Sequence, residues 1–105
     1  MRLKAPTVSE QKWLSDIVRI GCIVCVLEGR GLSVAEVHHM LEGGRKLGHM
    51  WTIPLCMSHH RAGLNNKQIV SRDHNQRRFE ARYGTERELH AATALLVAKM
   101  KELQV

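Results

Sequence analysis

The sequence predicts a small α+β domain: a strand–loop–strand–helix core stapled by a Cys3His metal site, with a helix packed on it from each end of the chain. Three observations predict this class. Cysteine and histidine recur at two-residue gaps, as Cys22-x-x-Cys25 and Cys56-x-x-His59. Between these pairs lie two short apolar runs, "AEVHHM" and "WTIPLC", each followed by a polar or turn-like stretch, which is strand patterning. Outside them, apolar residues recur at helical spacing: Trp13, Ile17 and Ile20 on one side, Leu89, Ala92, Leu96, Met100 and Leu103 on the other.

A chain of 105 residues holds one domain with a thin core, so residues 1–105 are read as a single unit that benefits from a staple. Residues 1–8 form a tail. A helix covers 9–20: Thr7 and Glu10 have capping-box spacing, and Gly21 ends it. Leu14 and Val18 lie beside its apolar face. Residues 21–62 form the metal-stapled core, with "LEGGRKLGHM" as the loop between the two strands and "CMSHHRAG" opening a helix. Residues 63–84 are a basic loop followed by a short helix, "NQRRFEARYG", which Gly84 stops. The last helix covers 85–105, opened by a second capping box, Thr85 with Glu88.

Net charge is +6, which favours an acidic partner, nucleic acid above others. No run approaches the roughly 18 apolar residues of a membrane span, and the opening segment lacks the apolar stretch of a signal peptide. A cytoplasmic location is therefore expected. In that reducing compartment three cysteines point to metal before disulfide.

Two residues between ligands let both side chains reach one ion. Cys22, Cys25, Cys56 and His59 together make a closed tetrahedral set of the structural-zinc kind and use every cysteine. The plainer alternative for the CxxC is a pair of small buried side chains. A Cys2His2 finger built on Cys22, Cys25 and His38 fails: no histidine follows His38 by three to five residues, and Cys56 would be orphaned.

Histidine also comes in doublets, His38-His39 and His59-His60. On a helix neighbours point about 100° apart, so His60 cannot easily share an ion with His59. It is either a redundant ligand or part of a second site. At the end of a strand, twist could bring His38 and His39 to one cleft, one as ligand and the other a free base. A neutral imidazole near pH 7 is a good general base. An open metal site beside a free histidine is equipment for hydrolysis.

The stretches "GCIVC", "AEVHHMLEGGRKLGHMWTIPLCMSHHRAG" and "FEARYG", within residues 21–84, resemble the HNH (ββα-metal) endonucleases of the CxxC…CxxC type. Among these the chain is similar to the phage recombination enhancement function family, the RecA-dependent nucleases known as Ref. The resemblance implies that His39 is the general base. It implies that His38 and His60 hold the catalytic metal, and that Cys22, Cys25, Cys56 and His59 hold structural zinc. The implied reaction is phosphodiester hydrolysis in DNA, leaving 5′-phosphate and 3′-hydroxyl, in a bacterial cell and from a phage or prophage gene, with RecA filaments as a partner.

Two departures from the HNH pattern stand out. Trp51 occupies the place of the pattern's middle asparagine, so the loop between the strands must be braced otherwise; His49 is a candidate brace or active-site support. A site of two imidazoles lacks a carboxylate, which suits Zn, Ni or Mn better than Mg, though all four remain candidates. His74 is a second support candidate, more simply a surface histidine, and His90 reads as structural or solvated.

Residues 61–87 carry Arg61, Lys67, Arg72, Arg77, Arg78, Arg82 and Arg87 against Asp73, Glu80 and Glu86, a net of 7 − 3 = +4. Arg61, Arg72, Arg77 and Arg78, with Arg45 and Lys46 in the inter-strand loop, are the expected phosphate contacts, which bind without reading sequence. Aromatic residues are only 4%, too few for a stacking platform. The rival function is a zinc-stapled, non-catalytic DNA-binding accessory module, which needs the cysteines but neither His39 nor His60. A protein-interaction module would need no basic segment beside the histidines.

Overall fold

The computed structural model describes residues 3–62, 69–73 and 75–103. Helix α1 (Val8–Ile20) starts at a formed capping box, in which Thr7 Oγ1 accepts from the Glu10 amide at 3.2 Å and Glu10 Oε1 accepts from the Thr7 amide at 2.9 Å. Gly21 ends it at φ +85°, and a Cβ there would sit 2.9 Å from the Ser33 carbonyl oxygen. Glycine is thus required on both conformational and steric grounds.

Strands β1 (Glu36–His39) and β4 (Thr52–Leu55) pair antiparallel, with His38 opposite Ile53 and His39 opposite Thr52. The segment between them is not a plain loop. It contains a second two-stranded sheet, β2 (Leu41–Glu42) with β3 (Arg45–Lys46), turned by Gly43 and Gly44 at φ +58° and +77°. Two consecutive positive φ values are the requirement of the hairpin turn that matches strand twist, and glycine meets it without strain. A short helix, α2 (Ile23–Leu27), carries Cys25 and is a further element beyond the predicted ones. Helix α3 (Met57–His60) is a single turn; α4 (Gln76–Tyr83) and α5 (Glu86–Leu103) complete the chain.

Ile23, Val24, Ile53, Leu55, Phe79 and Leu89 form one core together with Cys22 and Cys25. Ile17, Ile20 and Val97 form a second between α1 and α5. The buried face of α5 is Leu89, Thr93 and Val97, while Leu103, expected on the apolar stripe, is 86% exposed. The extent of the core explains this: it ends with Val97 and the partly buried Met100, about one turn before the helix does. No helix among the described residues is long and apolar enough to cross a membrane.

Candidate metal centre

The turn of α3 separates the second histidine doublet. His59 is buried and faces sulfur: its Nδ1 lies 3.6 Å from Cys22 Sγ, 3.6 Å from Cys25 Sγ and 3.2 Å from Cys56 Sγ, with Cys25 and Cys56 sulfurs 3.9 Å apart. A tetrahedral zinc with bonds of about 2.3 Å to sulfur and about 2.0 Å to nitrogen needs edges of about 3.8 and 3.5 Å. Burial pushes the Cys22 thiol up to about 12, and the Cys56 and Cys25 sulfurs push the same way against amides of those residues. Such a thiol ionises at neutral pH only against a cation, so the donor set suits a structural metal such as zinc. Burial also lowers His59, which favours the neutral imidazole that ligates. Tyr83 meets the ring edge-on at 5.1 Å, and its hydroxyl accepts from the Val70 amide at 3.0 Å.

His60, one residue on, faces a second cluster. Donor atoms of His38, His60 and Asp73 all lie within 4.8 Å of one another. The two imidazoles meet edge-on at 5.1 Å, and His60 Nε2 is 4.0 Å from Asp73 Oδ1. A carboxylate is therefore present where the sequence suggested imidazoles alone. Asp73 reaches the site because residues 71–73 run along the carbonyls of α3. The Ser71 hydroxyl donates to Ser58 O at 2.7 Å, the Arg72 amide to His59 O at 2.8 Å and the Asp73 amide to His60 O at 2.9 Å.

Two glutamates back the imidazoles. Glu86 Oε1 lies 2.6 Å from His38 Nε2 and accepts from Arg72 Nε at 2.7 Å. Burial raises the Glu86 carboxyl, but hydrogen bonds from His38 and Arg72 outweigh it and hold the group below the usual carboxylate range. Glu36 Oε1 lies 2.8 Å from His60 Nδ1, while Arg61 grips both carboxylate oxygens at 2.7–3.2 Å. Arg61, then His60, hold Glu36 down at about 2. Neither glutamate was singled out from the sequence. Glu36 had a readable signal, since residues two apart on a strand share a face and His38 is two residues on. Asp73 and Glu86 had none.

His39 does not join this cluster. Its Nε2 lies 3.1 Å from His49 Nδ1, and His49 Nε2 is 2.7 Å from the Lys4 carbonyl. A carbonyl only accepts, so His49 carries its proton on Nε2. Its Nδ1 then accepts from His39 Nε2, leaving His39 Nδ1 unprotonated. Burial lowers His39, with Lys46, His49 and His38 adding to it.

The loop before β4 is braced without asparagine. Thr52 Oγ1 donates to His49 O at 2.9 Å and accepts from Trp13 Nε1 at 2.9 Å; His90 Nε2 donates to Met50 O at 2.8 Å. Trp51 stacks on His90 at 4.8 Å, and the Arg87 guanidinium lies 5.4 Å from the centre of its ring. His90 is thus a brace.

Of the expected phosphate contacts, Arg45, Lys46, Arg77 and Arg78 are exposed, and Arg61 is about half exposed with its guanidinium held by Glu36. Arg72 is a correction: it is 8% exposed and its charge is committed to Glu86. His74 and Lys67 lie outside the described residues.

No curated protein matches the chain. A family model does, over residues 6–98, which span both clusters and, among the described residues, every helix except the end of the last. The chain belongs to the family described as recombination enhancement, RecA-dependent nuclease.

Proposed function

We propose that this nuclease is a metal-dependent DNA endonuclease of the HNH (ββα-metal) type, of low sequence specificity, acting on DNA with RecA filaments in a phage or prophage setting. The observation that carries this reading is the cluster of His38, His60 and Asp73, with His39 next to His38 along β1. The core would be β1, β4 and α3, with Cys22, Cys25, Cys56 and His59 holding structural zinc.

His38, His60 and Asp73 would hold the second ion. Two nitrogens and a carboxylate suit Zn, Mn or Ni and also admit Mg. The chemistry a divalent cation supplies there is stabilisation of charge on the phosphate and on the leaving oxygen. His39 is the base: its Nδ1 takes a proton from water as the water oxygen bonds to phosphorus and the bond to the 3′ oxygen breaks. That oxygen takes a proton from solvent, giving 5′-phosphate and 3′-hydroxyl. His49 orients His39, and its bond to Lys4 O fixes the tautomer of both rings.

The test is plasmid nicking and single-strand cleavage by wild type and His39→Ala in Mg, Mn, Zn and Ni, with and without RecA filaments. Loss of a general base lowers cleavage by about 10²–10⁴-fold, with zinc content and DNA binding unchanged. Equal cleavage by both proteins rules out His39. DNA binding without cleavage under every condition would make the chain the zinc-stapled accessory module.

A further inference from the structure

Two Arg–Glu–His units flank the second cluster with the same connectivity. In one, Arg72 Nε and His38 Nε2 share Glu86 Oε1, at 2.7 and 2.6 Å, with all three side chains no more than 10% exposed. In the other, Arg61 Nε and His60 Nδ1 share Glu36 Oε1, at 3.0 and 2.8 Å, with the arginine 54% exposed. Each glutamate faces one nitrogen of its imidazole, and a carboxylate accepts but does not donate. The facing nitrogen must therefore carry the proton. What remains is Nδ1 on His38 and Nε2 on His60, and His60 Nε2 is the atom on the Asp73 side.

We infer that Glu86 and Glu36 are positioning residues that fix these two tautomers, and that Arg72 and Arg61 are the clamps that aim them, so that two arginines of the basic segment serve the cluster. This rests on the reading of His38 and His60 as ligands. An imidazole whose far N–H is held by a carboxylate is oriented before the ion arrives and is a more basic ligand; loss of such a partner weakens metal binding by about 10–100-fold. Arg61 can be told apart from a phosphate contact, because a phosphate contact has no reason to alter metal affinity.

The accessible unit gives the cleaner experiment. Nitrogen-resolved NMR of the histidine rings, on zinc-stapled protein without a second ion, reads the tautomers directly. Titration with Mn²⁺, with free ion followed by electron paramagnetic resonance, reads affinity. We expect His60 in wild type to be protonated on Nδ1 and His38 on Nε2. In Glu36→Ala, His60 should become a tautomer mixture, and Mn²⁺ should bind about 10–100-fold more weakly with zinc retained at one per chain. Arg61→Ala should weaken Mn²⁺ binding in the same direction, and Glu36→Asp should restore part of it. His60 still locked on Nδ1 in Glu36→Ala would overturn the inference, as would unchanged Mn²⁺ affinity in that variant. If wild type takes up no Mn²⁺, the ligand reading fails, and the His60 tautomer in Glu36→Ala still decides the role of Glu36.

Discussion

A single peptide bond separates His59 from His60, yet they serve different clusters, because adjacent helical residues diverge by about 100°. His38 and His39 are separated by the strand's alternation instead: His38 is buried against His60 and Glu86, and His39 turns to His49. Burial sets the chemistry of His39 by lowering its pKa, with Lys46, His49 and His38 acting the same way. If it is the base, it must be neutral to work, so activity is lost as pH falls through its lowered pKa. The acid limb of the kcat profile should therefore lie below the ordinary histidine value of about 6.5. Lys46→Ala, which removes one of the lowering charges, should move the limb upward; a wild-type limb at or above the ordinary value would exclude His39. Arg72 gives a second residue-level outcome. Its removal leaves the buried Glu86 without its cation, so Arg72→Ala should cost about 3–5 kcal/mol. Denaturant unfolding measures this, and a change under about 1 kcal/mol would show the pair to be dispensable.

Helix α3 is one turn long and could not persist alone. The sulfurs around His59 hold it, and its carbonyls in turn hold residues 71–73. If Cys22, Cys25, Cys56 and His59 hold a structural metal, its removal should thus scatter the second cluster even though no ligand is shared. Cys25→Ala, or zinc extraction with a strong chelator, should lower stability by more than the roughly 5 kcal/mol such a domain has to spare and abolish cleavage together with compact fluorescence of Trp13. Retained cleavage after complete zinc loss would contradict this coupling. Gly21 tests the other wall. Gly21→Ala meets the Ser33 carbonyl at 2.9 Å in a left-handed conformation and should destabilise by about 1–3 kcal/mol, whereas Gly43→Asn, with open space around it, should be nearly neutral. Differential melting curves separate the two. Features written locally were legible in the sequence. The two capping boxes, the stops at Gly21 and Gly84, the apolar run of each strand and the two-residue gap within each ligand pair all depend on residues a few positions apart. Helix α2 was hidden inside a ligand spacing, and the β2–β3 ribbon inside what composition calls a loop. Asp73 and Glu86 reach the site by backbone pairing along α3 and by the docking of α5, and neither leaves a periodic trace.

At the scale of the whole molecule, the net charge of +6 overstates the surface available to DNA. Arg72 is internal, and Arg61 is held by a carboxylate that stays ionised down to about 2. The β2–β3 ribbon is the better place to look. Arg45 and Lys46 are exposed on it, it follows His39 after one residue, and its base is tied by the Leu47 amide donating to Met40 O at 3.0 Å. Cations on a short ribbon that follows the proposed base in the chain would grip phosphates next to the bond being cut. Each phosphate neutralised on duplex DNA contributes about 0.9 to the slope of log affinity against log salt concentration. The double variant Arg45→Ala with Lys46→Ala should therefore lower that slope by about 1–2. It should weaken binding equally across unrelated sequences. Arg72→Ala, assayed where it is still folded, should leave the slope unchanged. The reverse pattern, an unchanged slope without the ribbon cations and a reduced one without Arg72, would mean that DNA approaches from the side of α4 and that the buried Arg72–Glu86 pair opens to receive it.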